Sequence, residues 1–406
     1  MITRNIINRD VVYDGRFKYE HIDSLINRWK NLFVNEGARK GDLVAISILN
    51  VDVWHVSAVF ACAELGLRII LLDSPAKMES LPYTKLARFG PARFCLDDGS
   101  GRNLYDGLHQ SMITRYSQQI LNIRQCADSS SDPCQPWEVE ETDPFLVSST
   151  SGTTQFSRMV EFNHRDVLWM SKRNIDVFEF KPWSTVLHTK NMHHASALIT
   201  SLFPALMCCK EHFHMTLPDG EQRHSQHQVL QTIDGCEITH MIVPNNKILN
   251  WLLSTGHIFK RNVLMNMSGF TMGPDFNHLC KLHNISFIQH YGSIDVAIPL
   301  LTRKVTKDSF PEENCLGTPP DDTYNLTPST PSGILWVDHP DWNHPKSMGD
   351  IVEFRNEKYY HLGRAEVESG LDIPEDIDLE PFYQDTKINM DQLRGFLITK
   401  NSKKSA

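Results

Sequence analysis

The segment Leu146-Val-Ser-Ser-Thr-Ser-Gly-Thr-Thr154 surrounds one glycine with small hydroxyl side chains and continues an apolar run, Phe145-Leu-Val147. The apolar run predicts a strand, and the hydroxyl-rich stretch predicts a turn at its end. Small side chains let the backbone come close to a polyanion, and successive N–H groups in such a turn form an anion-binding nest. The alternative is an ordinary Ser/Thr-rich loop, so the rest of the chain has to decide between the two interpretations.

Strand-like and helix-like segments alternate around this turn. Tyr19-Glu-His-Ile22 opens an amphipathic helix, Lys40–Ile46 has the pattern of a buried strand, and a second helix is predicted from Val53 to Leu65. Asn163-His-Arg-Asp166 has the composition of a cap before a further amphipathic helix. Because the alternation continues to about Leu301, the sequence predicts an α/β fold with layered lobes.

Two other stretches indicate how the chain is divided. Asp128-Ser-Ser-Ser-Asp-Pro133 predicts a polar linker, at about residues 128–135, between a first lobe and the segment with the hydroxyl-rich turn. From about Cys315 to Tyr360, short strand-like segments are separated by Pro and Gly turns, which predicts a small β-rich lobe at about residues 315–360.

Several motifs resemble those of the adenylate-forming (AMP-binding) superfamily, which contains acyl-CoA synthetases, aryl-acid ligases and nonribosomal adenylation domains. Thr150-Ser-Gly-Thr-Thr154 resembles the first half of the family's phosphate loop. His290-Tyr-Gly-Ser-Ile-Asp295 resembles its Tyr-Gly-x-Thr-Glu motif, Met348-Gly-Asp350 its Thr-Gly-Asp motif, and His361-Leu-Gly-Arg364 its Gly-Arg hinge motif. Three weaker matches lie between them in family order: Met267-Ser-Gly-Phe-Thr271, Leu316-Gly-Thr-Pro319 and Pro331-Ser-Gly-Ile-Leu335.

The resemblance implies ATP and Mg2+ as cofactors and assigns roles to individual residues. Tyr291 would stack on adenine, Asp350 would accept both ribose hydroxyls, and Arg364 would reach ribose and phosphate, roles that suit a carboxylate acceptor and a guanidinium donor. Asp295 would be the metal ligand. The implied catalytic residues are Thr150, Arg158, His194 and Asp295, and the implied nucleotide-binding residues are Ser151, Gly152, Thr153, Thr154, Gly269, Phe270, Tyr291, Gly292, Asp350 and Arg364.

The sequence departs from the family pattern at several of these positions. Gln155 and Ser157 stand where the phosphate loop usually has Gly and Pro, and Arg158 stands in place of its Lys. Ile294 and Asp295 replace the usual Thr and Glu. Asp is still a competent oxygen ligand for Mg2+. Arg158 is the one cation near the loop that could stabilise the leaving pyrophosphate.

The segment Asn191–Ser196 aligns with the start of the family's acyl pocket. His194 occupies the place where amino-acid-activating members have an Asp that pairs with the substrate ammonium. A histidine cannot form that salt bridge, so α-amino acids are disfavoured as substrates. The alternative is that His193 and His194 are packing residues between lobes.

Residues 365–406 follow the Gly-Arg motif, where family members carry a mobile domain of roughly a hundred residues with a catalytic Lys. The expected organisation is therefore an AMP-binding large domain, 1–364, and a short C-terminal remnant, 365–406. No match to the lysine motif occurs in the remnant, so thioester formation is not expected. Adenylation would proceed more slowly or with a partner that supplies the missing cation.

Composition restricts the class of protein. The 406 residues include 41% hydrophobic and 22% charged residues, as in an ordinary globular protein. The net charge of −9 argues against binding to a nucleic-acid backbone. No signal peptide or membrane span is predicted, which indicates a cytoplasmic protein.

Cysteine and histidine are the residues that could form disulfides or bind a metal ion. The nine cysteines are odd in number and form no Cys-x-x-Cys pair, so they are expected to be reduced. His212-Phe-His214 and His224-x-x-His227 are predicted to occupy polar loops and to be a fortuitous cluster, since no thiolate or carboxylate is spaced with them for a metal site.

Two functions follow from the sequence. The first is a carboxylate–AMP ligase that forms an acyl-adenylate, releases pyrophosphate, and passes the acyl group to a carrier protein or another acceptor. The second is a nucleotide-binding pseudoenzyme that serves as an assembly or regulatory subunit. The altered loop, Ile294 and the short C-terminal tail favour the second. The retained residues favour the first: Thr150–Thr154, Tyr291, Asp295, Asp350 and Arg364.

Overall fold

The computed structural model describes most of the chain up to residue 364. Contacts divide the chain into two compact units: the first contains Met1–Ser268 and Leu282–Ser286, and the second contains Gly269–Lys281 and Phe287–Ala406. The described residues are 1–47, 53–71, 92–97, 117–149, 159–189, 195–215, 226–243, 254–268, 275–293, 297–309, 312–328, 332–340 and 345–364.

Two mostly parallel sheets form the framework of the first unit. One has the strand order β6-β5-β3-β4-β7-β8, with only β8 antiparallel to its neighbour. The other contains the order β2-β1-β10-β9-β11-β12, with only β2 antiparallel. The strands are β1 Val12–Tyr13, β2 Phe17–Lys18, β3 Leu43–Ser47, β4 Arg68–Leu71, β5 Ala92–Asp97, β6 Ser117–Asn122, β7 Pro144–Ser149, β8 Met159–Asn163, β9 Thr185–His188, β10 Glu211–His214, β11 His240–Val243 and β12 Val263–Ser268.

Helices connect these strands, as parallel neighbours require. The helices predicted at Tyr19 and Val53 are confirmed, and so is the cap at Asn163, whose side chain accepts a hydrogen bond from the Asp166 N–H at 2.8 Å. In order they are a 3-10 turn Arg4–Ile6, α1 Tyr19–Asn35, α2 Val53–Glu64, α3 Ile123–Asp128, α4 His164–Val177, α5 Ala195–Ala197 with a π-helical stretch Leu198–Leu202, α6 Phe203–Cys208, α7 Gln226–Gly235 and α8 Asp275–His283.

A buried ionic cluster joins the N-terminus to α1 and α2. The Glu64 carboxylate, 3% exposed, accepts bonds from Arg4 Nε at 2.7 Å and Nη2 at 2.6 Å and from Lys30 Nζ at 2.8 Å. Lys30 is fully buried and also donates to the Cys134 carbonyl at 2.5 Å. Burial alone would raise the pKa of Glu64, but the hydrogen bonds from Arg4 and Lys30 outweigh it and lower that pKa. The carboxylate therefore stays ionised between two cations.

The segment predicted as a linker is hydrogen-bonded to α1. Residues 129–143 contain no helix or strand. Arg28 Nη1 donates to the Ala127 carbonyl at 2.6 Å, and Asn31 Nδ2 donates to the Ser130 and Asp132 carbonyls at 2.9 and 3.0 Å. Together with the bond from Lys30, these contacts hold the segment along one side of the helix.

The second unit contains an antiparallel hairpin and an antiparallel sheet. The hairpin pairs β13 with β14, and the sheet has the order β15-β19-β18-β17-β16. This sheet confirms the predicted small β-rich lobe. The strands are β13 Ile285–Ser293, which begins in the first unit, β14 Ala297–Val305, β15 Cys315–Gly317, β16 Asn325–Thr327, β17 Ser332–Asp338, β18 Lys346–Arg355 and β19 Lys358–Arg364.

The prediction for His212 and His214 was wrong. Both residues lie in β10, a strand paired on both sides, and are 0% and 7% exposed. The ring of His212 stacks on Tyr13 at 5.4 Å between centroids, and its Nε2 lies 3.5 Å from Ser201 Oγ. Burial lowers the pKa of His212 to about 3, so the imidazole is neutral and is accommodated as part of the core.

The composition also led to expectations about disulfides, metal sites and membrane spans. None of the nine cysteines forms a disulfide in the structure, and most are buried. In the described ranges, no three His, Cys, Asp or Glu side chains are arranged to hold a metal ion. No helix in these ranges is long and apolar enough to span a membrane. His224 and residues 365–406 lie outside the described residues.

Candidate nucleotide site

Tyr291 lies near the end of β13, where the strand emerges from the core. Residues Ile285–His290 are buried, whereas Tyr291 is half-buried and pairs with Leu301 of β14. Tyr291 packs against a hydrophobic cluster of the second unit. The buried members of this cluster are Leu300, Leu301, Leu316, Tyr324, Leu335, Val337, Val352 and Tyr359.

Asp350 lies in β18 and is only 2% exposed. The Tyr291 hydroxyl donates a hydrogen bond to its Oδ2. Gly349 precedes it with φ of +70°, a left-handed conformation that favours glycine, and its N–H donates to Ser347 Oγ at 3.1 Å. The Gly-Asp pair thus combines a backbone conformation that favours glycine with a buried carboxylate that contacts Tyr291.

His361 of β19 is the third side chain at this site. Its Nε2 lies 3.4 Å from Asp350 Oδ1, and its side chain is 32% exposed, against 3% for Asp350. Because a carboxylate only accepts, this contact requires the imidazole proton on Nε2. The sequence motif contained His361, but no role was predicted for it.

Arg364 lies directly across from Asp350 in the hairpin of β18 and β19. The hairpin turns at Asn356 and Glu357, both with positive φ. A register shift between Ile351 and Val352 brings Arg364, rather than Gly363, opposite the carboxylate. The backbone therefore places the two residues predicted to contact ribose next to each other.

The backbones of β14 and of the segment after β15 approach each other closely. Thr302 and Thr318 exchange backbone hydrogen bonds of 2.8 and 3.0 Å. Gly317 has φ of +95°, and a Cβ there would lie 1.9 Å from the Thr302 carbonyl oxygen. The Leu316-Gly-Thr-Pro319 motif thus needs its glycine because no side chain fits against β14.

Glu312 is hydrogen-bonded to residues at the start of β19. It accepts hydrogen bonds from Lys358 Nζ at 3.0 Å and from the Tyr360 hydroxyl at 2.9 Å. Burial would raise the pKa of Glu312, but these two hydrogen bonds outweigh it and the pKa is lowered. Burial and the hydrogen bond to Glu312 raise the pKa of Tyr360 to about 12. The strand that carries His361 and Arg364 is also paired with β15 along one edge and with β18 along the other.

The structure thus brings together Tyr291, Asp350 and the backbone of Arg364, and adds His361. Gly292 follows Tyr291 within β13. A buried carboxylate next to an aromatic ring is a suitable acceptor for the two hydroxyls of a ribose. The other predicted site residues lie outside the described residues: Thr150, Ser151, Gly152, Thr153, Thr154, Arg158, His194, Gly269, Phe270 and Asp295.

Solved structures with a similar fold are adenylate-forming enzymes. O-succinylbenzoate coenzyme A synthetase (MenE) from Bacillus subtilis, in complex with ATP and magnesium ion, has a TM-score of 0.71 at 18% identity, covering 87% of this chain and 76% of that one. ATP-bound MatB from Rhodopseudomonas palustris has 0.69 at 16%, covering 90% and 79%. The inhibitor-bound N-terminal domain of FACL13 from Mycobacterium tuberculosis has 0.70 at 17%, covering 87% and 95%.

At these identities the likeness establishes the fold alone, and no curated protein sequence matches the chain significantly. The model of the AMP-binding enzyme family matches residues 4–293, which is more than half of the 406 residues. The match includes the hydroxyl-rich turn and ends just after Tyr291. The resemblance to the adenylate-forming superfamily is therefore confirmed, and the chain belongs to the AMP-binding enzyme family of adenylate-forming ligases.

Proposed function

We propose that this protein joins a carboxylic acid to AMP, using ATP and Mg2+, and then passes the acyl group to an acceptor. The observation that best supports the proposal is the contact between Tyr291 and the buried carboxylate of Asp350, with Arg364 opposite. Tyr291 offers a ring for adenine, and Asp350 offers two oxygens for the ribose hydroxyls. Both properties are needed to hold AMP while a bond at its phosphate changes.

In the proposed reaction, an oxygen of the substrate carboxylate attacks the α-phosphorus of ATP. The bond from that phosphorus to the bridging oxygen breaks, and pyrophosphate leaves with the electron pair. The turn Thr150–Thr154 would donate N–H and hydroxyl groups to the leaving phosphates, and Arg158 would add a positive charge. Asp295 would hold Mg2+, which supplies charge neutralisation between the phosphates when bound.

The acid substrate is proposed to lack an α-amino group. His194 stands where an acidic residue would pair with a substrate ammonium, and a histidine does not replace that pairing. The solved MenE structures include one in complex with an acyl-adenylate, OSB-AMP, and one with a CoA product analogue, and both ligands are described for that protein. For this chain we propose an aryl or aliphatic acid, with a thiol, an amine or a carrier protein as acceptor.

Exchange of labelled pyrophosphate into ATP, run over a panel of aryl, aliphatic and α-amino acids, tests the proposal. We expect carboxylate-dependent exchange with a non-amino acid, loss of exchange in Asp295→Ala, and slower exchange in Arg158→Ala. Removal of one stabilising donor to a developing charge typically slows such chemistry about 100-fold or more. Exchange that is fastest with α-amino acids would refute the substrate assignment.

A second function is supported by the altered phosphate loop, where Gln155 and Ser157 replace Gly and Pro, and by Ile294 in place of Thr. These changes fit a nucleotide-binding subunit that performs no chemistry. In that case ATP would bind, and its binding would depend on Asp350. Pyrophosphate exchange would then be absent with every acid on the panel.

A further inference from the structure

We propose that His361 is a positioning residue for nucleotide binding, and that it acts together with the Tyr291 hydroxyl to hold the Asp350 carboxylate in the orientation that receives the ribose hydroxyls. The inference rests on the proposed function, because it assigns the ribose to Asp350. It adds a residue that the motifs did not identify and a mechanism for the selection of ribose.

The two donors contact different oxygens of one carboxylate. The Tyr291 hydroxyl donates to Oδ2, and His361 Nε2 lies 3.4 Å from Oδ1. The terminal torsion of an Asp side chain is broad, so a lone carboxylate rotates easily. Two donors on opposite oxygens restrict that rotation, because turning the group would break both contacts at once.

The donors also come from separate strands. Tyr291 is in β13, and His361 is in β19, opposite Val352 and therefore diagonal to Asp350. Diagonal neighbours in an antiparallel pair are about 7–8 Å apart at the backbone, a span that a histidine can bridge. The carboxylate is thus fixed by the hairpin on one side and by the β13 strand end on the other.

We assign one ribose hydroxyl to each oxygen of the carboxylate, next to the protein donor that contacts the same oxygen. The difference in exposure, 3% for Asp350 and 32% for His361, places the pair at the boundary between the core and the surface.

The arrangement predicts that each protein donor is coupled to one ribose hydroxyl. Loss of the His361 donor should matter most for the hydroxyl bound by Oδ1, and loss of the Tyr291 hydroxyl for the one bound by Oδ2. A residue that only stabilises the lobe would weaken binding of every nucleotide by the same factor. Selective coupling therefore separates positioning from a general structural role.

The test measures binding of ATP, 2′-deoxy-ATP and 3′-deoxy-ATP by calorimetry to the full chain. The variants are His361→Leu, His361→Gln and Tyr291→Phe, with His339→Leu as a control. His339 belongs to the same unit but packs against Tyr324, at 5.3 Å between ring centroids. Thermal unfolding of each variant shows whether the lobe remains folded.

We expect His361→Leu to weaken ATP binding roughly three- to tenfold, the range for one hydrogen bond of modest strength. For one of the two deoxy analogues, His361→Leu and the parent should bind with nearly equal affinity, because that analogue lacks the hydroxyl assigned to Oδ1. His361→Gln, which retains an N–H donor, should restore most of the affinity. Tyr291→Phe should bind ATP more weakly than the parent but bind the other deoxy analogue about as tightly as the parent does. His339→Leu should bind all three nucleotides like the parent.

Equal weakening of all three nucleotides in His361→Leu, or no weakening at all, would overturn the inference. If the parent discriminates against both deoxy analogues while His361→Leu behaves like the parent, the ribose assignment survives and only the role of His361 fails. If the parent binds deoxy-ATP as tightly as ATP, or binds none of the nucleotides, the ribose assignment itself is wrong and the inference fails with it.

Discussion

Glu64→Gln is expected to lower the free energy of unfolding by about 3–5 kcal/mol, the usual loss when one partner of a buried ion pair is removed. The side chain keeps its shape but loses its charge, so Arg4 and the fully buried Lys30 are left without the carboxylate that both contact. The cost is mainly that of leaving the buried Lys30 ammonium without its carboxylate, because Arg4 keeps its ion pair with Asp23 at 2.6 Å.

Equilibrium unfolding in urea, with Glu237→Gln as the matched control, measures this effect. Glu237 pairs with Arg261 at 2.6 Å, the same separation as that between Glu64 and Arg4, but its side chain is 63% exposed. An exposed pair of this kind contributes about 0–1 kcal/mol. Similar losses in both variants would show that burial does not determine the effect and would contradict the prediction.

Mild acid is expected to destabilise the first unit through buried histidines. Burial lowers the pKa of His212 to about 3 and that of His164 to about 4, whereas an unfolded histidine titrates near 6.5. Above pH 6.5 neither state binds the proton, so these groups add no pH dependence. As the pH falls from 6.5 toward 4, only the unfolded chain takes up protons, and each group lowers stability by up to about 1.4 kcal/mol per pH unit.

Unfolding measured from pH 7.5 to 4.5 tests this expectation, with His212→Phe compared to the parent. Phe retains a ring next to Tyr13 and removes the titrating group, so the slope below pH 6.5 should become shallower by roughly 1 kcal/mol per pH unit. An unaltered slope in His212→Phe would contradict the account.

Local signals in the sequence were sufficient for several elements. The cap at Asn163 was predictable because its partner, the Asp166 N–H, is three residues away. The helix α1 was predictable because Ile22, Ile26, Trp29 and Phe33 recur at helical spacing and form one buried face. In both cases the determining contacts lie within a short stretch of chain.

Burial of β10 was not predictable in the same way. Hydropathy treats Glu-His-Phe-His as polar, and this favoured a loop. The strand lies between β1 and β9, and His188 and Tyr13 from these neighbours pack against its histidine rings. Whether a histidine is a neutral core residue depends on neighbours distant in sequence, which no local pattern contains.

At the site, the resemblance predicted Tyr291, Asp350 and Arg364, but geometry was needed for their arrangement. Counting from the turn at Asn356 and Glu357 would pair Asp350 with Gly363. The register shift after Ile351 moves Arg364 into that place. His361 was missed because its contact is diagonal across the hairpin, and such a contact depends on a register that the motifs do not specify.

Calorimetric titration of ATP into the parent and Asp350→Ala tests the central claim most directly, namely that this carboxylate holds the nucleotide. Loss of a charged hydrogen-bond acceptor costs about 1.5–3 kcal/mol, so the variant should bind ATP at least roughly tenfold more weakly. Asp322→Ala, at an exposed position in the same unit, should bind like the parent. Binding of ATP to Asp350→Ala as tight as to the parent would contradict the account.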